Sequence, residues 1–190
     1  MGQRTTDMSY FRFLPEMRKL AKKKEYKYDI VAIFRATELK NRLKAVQIIR
    51  EQPWRSLAWM TDHPNRKAPA PWKLMRWLSY KEFLASNCQS RLGMTMPGVG
   101  PFTCRMVETL GMGACCIMAE PDWILPGNPV NCWVEFKRDF SNFMEVVNHY
   151  LASQEERDEI ARNGFKYYEE YLSPVGQARY VLRKVTELRR

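Results

Sequence analysis

Thr103, Arg105 and Glu108 are spaced so that one short helix would present all three side chains near its start. An arginine can meet phosphate oxygens with two parallel N–H bonds, or fix a neighbouring carboxylate. A carboxylate accepts from several donors at once, so Glu108 can hold both hydroxyls of a ribose. Thr103 either caps the helix or donates to phosphate. Just upstream, Pro97-Gly98-Val99-Gly100-Pro101 forms a turn in which glycine lets a backbone come close to a ligand. Taken alone, Gly98-Val99-Gly100 is neither G-x-G-x-x-G nor a Walker A motif, and it also describes a plain strand-to-helix turn. Arg105 and Glu108 would equally make an i,i+3 surface pair worth about 0.2–0.5 kcal/mol.

Little else in the chain competes with this stretch. There are only two histidines, which disfavours a His-based metal site, and no metal ligand is assigned. His63 sits in a Thr-Asp-His-Pro loop and His149 in a helical stretch, so both suit structural or solvated roles and no catalytic base is nominated. The five cysteines are odd in number and lack a C-x-x-C pair. They read as small core residues in a reducing, cytoplasmic setting, with Cys115-Cys116 inside an apolar strand.

The elements that must position these groups follow from the apolar pattern. Strands are expected over 29–34, 54–60, 92–96, 114–118 and 131–136, the first as a continuous apolar run of the kind covered on both faces. Helices are expected over 37–51, 71–86, 103–110, from Asp139 or Ser141 to 152, then 153–172 and 174–188. Ser153 and Glu156 have capping-box spacing, and Ser173-Pro174 places proline at the first helical position. Strands and helices alternate, so the class is α/β with a doubly wound parallel sheet. In such sheets ligands bind outside the carboxyl ends of the strands, where the 97–101 turn falls.

The chain of 190 residues, 45% hydrophobic and 13% aromatic, is large and apolar enough for a real core. It divides into a basic N-terminal arm, 1–28, and a Rossmann-like domain, 29–190. A net charge of +10 favours an anionic partner without choosing which. Residues 1–6 fit the N-myristoylation pattern, one short enough to recur by chance. Tyr10, Phe11, Phe13, Leu14, Met17 and Leu20, followed by Lys22-Lys23-Lys24, outline an amphipathic basic helix. One reading makes it an arm for peripheral membrane contact or partner docking, the other a solvated lead-in. No apolar run reaches membrane-spanning length, and the N-terminus lacks a secretory apolar region.

The order strand, Gly-x-Gly, Thr103-x-Arg105-x-x-Glu108, then Leu110-Gly111-x-Gly113-Ala114-Cys115-Cys116-Ile117, resembles the nucleotide-sugar-binding half of GT-B glycosyltransferases. The similarity is to the group 1 enzymes and the CgeB-like spore-coat proteins. It continues through Glu156-Arg157, Ile160-Ala161-Arg162-Asn163-Gly164 and the tyrosine-rich stretch after it, so that it covers roughly residues 27–180. The resemblance implies a metal-independent glycosyltransferase of glycan biosynthesis, with a nucleotide-diphosphate sugar as donor substrate and no other cofactor. Glu108 then matches the family's ribose-binding glutamate, while Gly98, Gly100 and Thr103 fall in the loop that approaches the diphosphate. Arg35 and Lys40 are similar to the pair that neutralises the departing diphosphate, with Arg42 as a substitute and a solvated helix start as the plain alternative.

Two departures accompany the likeness. The family's first glutamate, which touches the donor sugar, falls on Gly100. A GT-B enzyme also has two Rossmann-like halves, and this chain has one, so an acceptor half would come from a separate subunit, a homologous partner or a missing segment. On its own the chain is expected to bind nucleotide and to transfer sugar poorly. Two other readings remain: a non-catalytic basic module for nucleic acid or acidic glycan, and an inactive remnant serving as a docking subunit. Nucleic acid is disfavoured because the basic residues are scattered and no recognition motif is present.

Overall fold

Continuous apolar strands need cover on both faces, and here helices supply it on the two sides of one parallel sheet. The computed structural model describes residues 8–37, 39–74, 76, 78–96, 103–121 and 125–189. Within them, β1 (Tyr28–Arg35), β2 (Ser56–Thr61), β3 (Ser90–Thr95), β4 (Cys116–Ala119) and β5 (Val134–Phe136) pair in the order β2-β1-β3-β4-β5. Every pairing is parallel. The helices are α1 (Met8–Lys22), α2 (Leu39–Arg50), α3 (Tyr80–Cys88), α4 (Cys104–Met112), α5 (Phe143–Ala152), α6 (Gln154–Tyr167) and α7 (Pro174–Leu188). A π-helical turn, Tyr168–Leu172, joins α6 to α7. The chain is thus a Rossmann-like, doubly wound α/β domain.

From β1 the chain winds outward through α2 to β2, then returns past β1 through α3 to β3. Such crossovers are right-handed, so the reversal puts α2 on one face and α3 and α4 on the other. The side chains divide accordingly. Ile30, Ala32, Phe34, Leu92 and Met94 pack with Ala45, Val46 and Ile49 of α2 and Phe143 and Val147 of α5. On the second face Leu84 of α3 and Met106 and Leu110 of α4 pack with Tyr10, Leu14 and Met17 of α1. Strand β4 shows the two-residue period directly: Ile117 and Ala119 belong to the first core, Cys116 and Met118 to the second.

Helix α1 therefore forms a layer of the domain. The Tyr10 hydroxyl donates to the carbonyls of Val107 and Glu108, and Arg18 Nε donates to Gly111 O at 2.9 Å. Cys88, Cys115, Cys116 and Cys132 are buried free thiols, and Cys104 is exposed. Among the described residues no helix is long and apolar enough to cross a membrane.

Two local expectations are corrected. The helix expected over 71–86 is α3 alone, beginning at Tyr80, and residues 72–74 run along the outer edge of β2 instead. There Met60 N donates to Trp72 O and Leu74 N donates to Met60 O, each at 2.8 Å. An edge strand offers a row of unpaired backbone groups, and these bonds satisfy some of them. The helix start is set by Ser79 and Glu82, which form a reciprocal capping box. At Ser153 the expected capping box does not form. Ser153 alone separates α5 from α6, and its N–H already donates to His149 O to close α5. The Glu156 carboxylate takes the Ser153 hydroxyl instead, at 2.6 Å, and lies 2.9 Å from His149 Nε2.

Asp29 ties the starts of three strands together. Its carboxylate accepts from the backbone and side chain of Arg55 and lies 3.6 Å from Arg91 Nε. Burial alone would raise its pKa, but the Arg55 hydrogen bonds and the Arg55 and Arg91 charges hold it below the ordinary 3.8. A lowered carboxyl adds stability that is present above the unfolded-state pKa and lost as pH falls through the folded one. Asp29→Asn is therefore expected to lower the melting temperature at pH 7 by roughly 2 °C, with the gap closing as pH falls from the ordinary carboxylate range through the lowered folded-state pKa. Melting curves of both proteins across that range test it, and a gap that persists in acid would refute an ionic role.

Candidate functional site

The winding reversal leaves β1 and β3 adjacent with their following loops turned apart, which opens a crevice at their carboxyl ends. Arg35, Ala36 and Thr37 leave β1 on one side of it, and Thr95 and Met96 leave β3 on the other. Helix α4 starts at the same edge. Thr103 is its N-cap: the Oγ1 accepts from Met106 N at 3.3 Å and stands 3.0 Å from Thr95 Oγ1. The turn with Gly98 and Gly100 lies outside the described residues.

Arg105 projects from the first turn of α4 into an aromatic slot. Its guanidinium carbon is 5.2 Å from the centre of the Phe34 ring and 4.7 Å from that of Phe83. Stacking stabilises the flat face of a guanidinium but satisfies none of its N–H donors. The Nε is buried and makes no hydrogen bond among the described residues. Burial pulls the Arg105 pKa down to about 10; Glu108 opposes that shift, and Arg42 and Arg35 add to it. Charges of both signs therefore act on this arginine, the Glu108 carboxylate most strongly and the Arg42 and Arg35 guanidiniums against it.

Arg42 comes from α2 and is 9% exposed. Its Nη1 donates to Arg35 O at 3.0 Å and to Thr37 Oγ1, which fixes the β1–α2 turn. Arg66, from the loop after β2, reinforces the turn by donating to Thr37 O at 3.2 Å. Arg35 and Lys40 are both exposed. Of the basic residues expected here, Arg35 and Arg105 come together, Arg42 joins them, and Lys40 stands at the solvated start of α2.

Glu108 lies one turn beyond Arg105. Its Oε1 accepts the Tyr80 hydroxyl at 2.5 Å, so the first residue of α3 orients the carboxylate. Tyr80, Phe34, Phe83 and Arg66 were not singled out from the sequence. Only Tyr80 had a usable signal, since Ser79-x-x-Glu82 marks a helix start immediately before it. His63 Nδ1 accepts from Asn65 N within its own loop, and His149 faces Glu156 on the surface; neither is among the site residues.

The downstream part of the pattern is architectural. Arg157 Nη1 donates to the carbonyls of Tyr150 and Leu151, closing the end of α5. Gly164 lets α6 come against Cys132 O and Leu110. An open cleft of about 810 Å³ lies away from the crevice, between Leu125, Gly127, Tyr171, Tyr180 and Arg183, and none of the site residues lines it. Among the described residues no cluster of three His, Cys, Asp or Glu side chains is placed to hold a metal ion. Compared with known proteins, the chain matches no family model and no curated sequence.

Proposed function

We propose that this chain is the donor-binding half of a GT-B glycosyltransferase and receives a nucleotide-diphosphate sugar in the crevice above β1 and β3. The observation that carries the reading is Arg105, a stacked guanidinium whose buried Nε has no hydrogen-bond partner among the described residues, beside Arg35 and Arg42. Such a group has desolvated donors that a diphosphate oxygen would satisfy. Thr103 and the start of α4 add further donors of the kind that favour anions. Glu108, oriented by Tyr80, receives the ribose diol through its carboxylate oxygens.

In sugar transfer the bond between the anomeric carbon and the β-phosphate oxygen breaks, and its electron pair leaves with the diphosphate. Arginines fixed before the reaction stabilise that developing charge without reorganising. The acceptor hydroxyl and the group that takes its proton come from an acceptor half outside this chain.

Calorimetric titration with UDP, GDP and ADP tests the reading. One of them is expected to bind, and Glu108→Ala to weaken it by about tenfold or more, as loss of a charged hydrogen-bond acceptor does. No binding by any of the three, or binding indifferent to Glu108, would overturn it. Binding that instead falls steeply with salt and ignores Glu108 would favour a polyanion-binding module.

A further inference from the structure

Helix α7 is amphipathic in the wrong sense for a helix packed on a domain. At 100° per residue, Val175, Ala178, Val181, Leu182, Val185 and Leu188 fall within one arc of roughly 140°. That arc faces away from the protein: Val181 is 56% exposed, Leu182 68% and Leu188 87%. The side turned toward the body carries Gly176, Tyr180, Arg183 and Glu187. A Cβ on Gly176 would lie 2.5 Å from Glu169 O, while Tyr180 packs edge-on against Tyr171 at 5.8 Å. Among the described residues the stripe therefore stands in solvent along the length of the helix.

The charge pattern selects what covers it. Residues 174–189 include Arg179, Arg183, Lys184 and Arg189 against a single acid, Glu187, in a chain of net charge +10. On the helical wheel Arg179 and Lys184 fall at the two borders of the apolar arc, and Arg189 follows the last residue of the helix. A second copy would bring the same cations to the same borders. The stripe is also small: 15 residues give about 22 Å of helix, hence roughly 220 Å² of face, against about 800 Å² per partner in a stable protein interface. An anionic bilayer asks for less area, because a modest apolar stripe and flanking basic residues act together there. We infer that α7 lies in the plane of an anionic lipid surface, with Val181, Leu182, Val185 and Leu188 in the acyl boundary and Arg179 and Lys184 at the headgroups. The basic helix α1 is not available for this role through its apolar face, which is packed against α3 and α4.

Sedimentation of the full chain with lipid vesicles tests the inference. Binding to vesicles with about one-third phosphatidylserine is expected to exceed binding to pure phosphatidylcholine by about tenfold, and to fall about tenfold when salt is raised to about 0.5 M. The double variant L182D/V185D, at two exposed positions, is expected to keep the wild-type melting temperature and to lose about tenfold or more of the anionic-vesicle binding. Wild-type protein that stays in the supernatant overturns the inference. So does equal binding by the double variant, which would assign the attraction to overall charge. A wild-type dimer in sedimentation equilibrium that the same substitutions dissolve would overturn it in favour of a second copy.

Discussion

The Arg105→Met protein is expected to melt above the wild type while binding nucleoside diphosphate about tenfold to a hundredfold more weakly. The two effects have one cause. Between Phe34 and Phe83 the guanidinium is held where burial works against its charge, and its Nε has no hydrogen-bond partner among the described residues. Methionine keeps the flexible apolar stem and removes the desolvated cation, so about 1 kcal/mol of added stability, or roughly 2–4 °C, is expected. A diphosphate bound there loses a charge-assisted contact. An arginine present only for structure would show the opposite stability change and no change in affinity.

The pH dependence follows with a definite sign. A basic group whose folded pKa is lowered, here to about 10, destabilises the fold fully at lower pH. That penalty is relieved as pH rises from the folded pKa toward the unfolded one. The melting-temperature gap between Arg105→Met and wild type should be full at pH 7 and narrow above about pH 10. Calorimetry supplies both the melting temperature and the affinity.

Gly164→Ala is expected to destabilise the protein by about 1–3 kcal/mol, a fall of roughly 2–12 °C in melting temperature. Mid-helix glycine to alanine normally gains about 0.8–1 kcal/mol, so the sign depends on what the new methyl meets. It would lie 2.5 Å from Cys132 O and 2.7 Å from Leu110 Cδ2. The first is backbone leading into β5 and cannot swing aside as a side chain can. Leu110 lies on α4, the helix that carries Arg105 and Glu108, so displacement of α6 should also weaken nucleotide binding. An unchanged or raised melting temperature would mean that the backbone before β5 yields, and the close approach of α6 would then have no energetic role.

The site was partly legible. Thr103, Arg105 and Glu108 were visible together because one helix start holds them. Tyr80 reaches Glu108 from 28 residues away, and Phe34 and Arg42 come from the far side of the winding reversal. Nothing in a linear pattern brings those segments together. Lys40 illustrates the converse: spacing suggested a pair with Arg35, whereas the turn of α2 buries Arg42 and leaves Lys40 in solvent.

The apolar runs determined the five parallel strands and most of the helices, because continuous burial and helical periodicity are properties of neighbouring residues. The stretch before α3 misled because its apolar residues come at helical spacing, while the edge of β2 bonds the backbone of Trp72 and Leu74. Ser153 misled because the same N–H was required by the preceding helix. The two amphipathic basic helices show the limit most clearly. The sequence determined that α1 and α7 each have an apolar face, and only the tertiary structure decided that α1 is covered by α3 and α4 while α7 turns its stripe outward. Periodicity is set within a few turns of chain, but burial depends on which distant segments arrive on the other side.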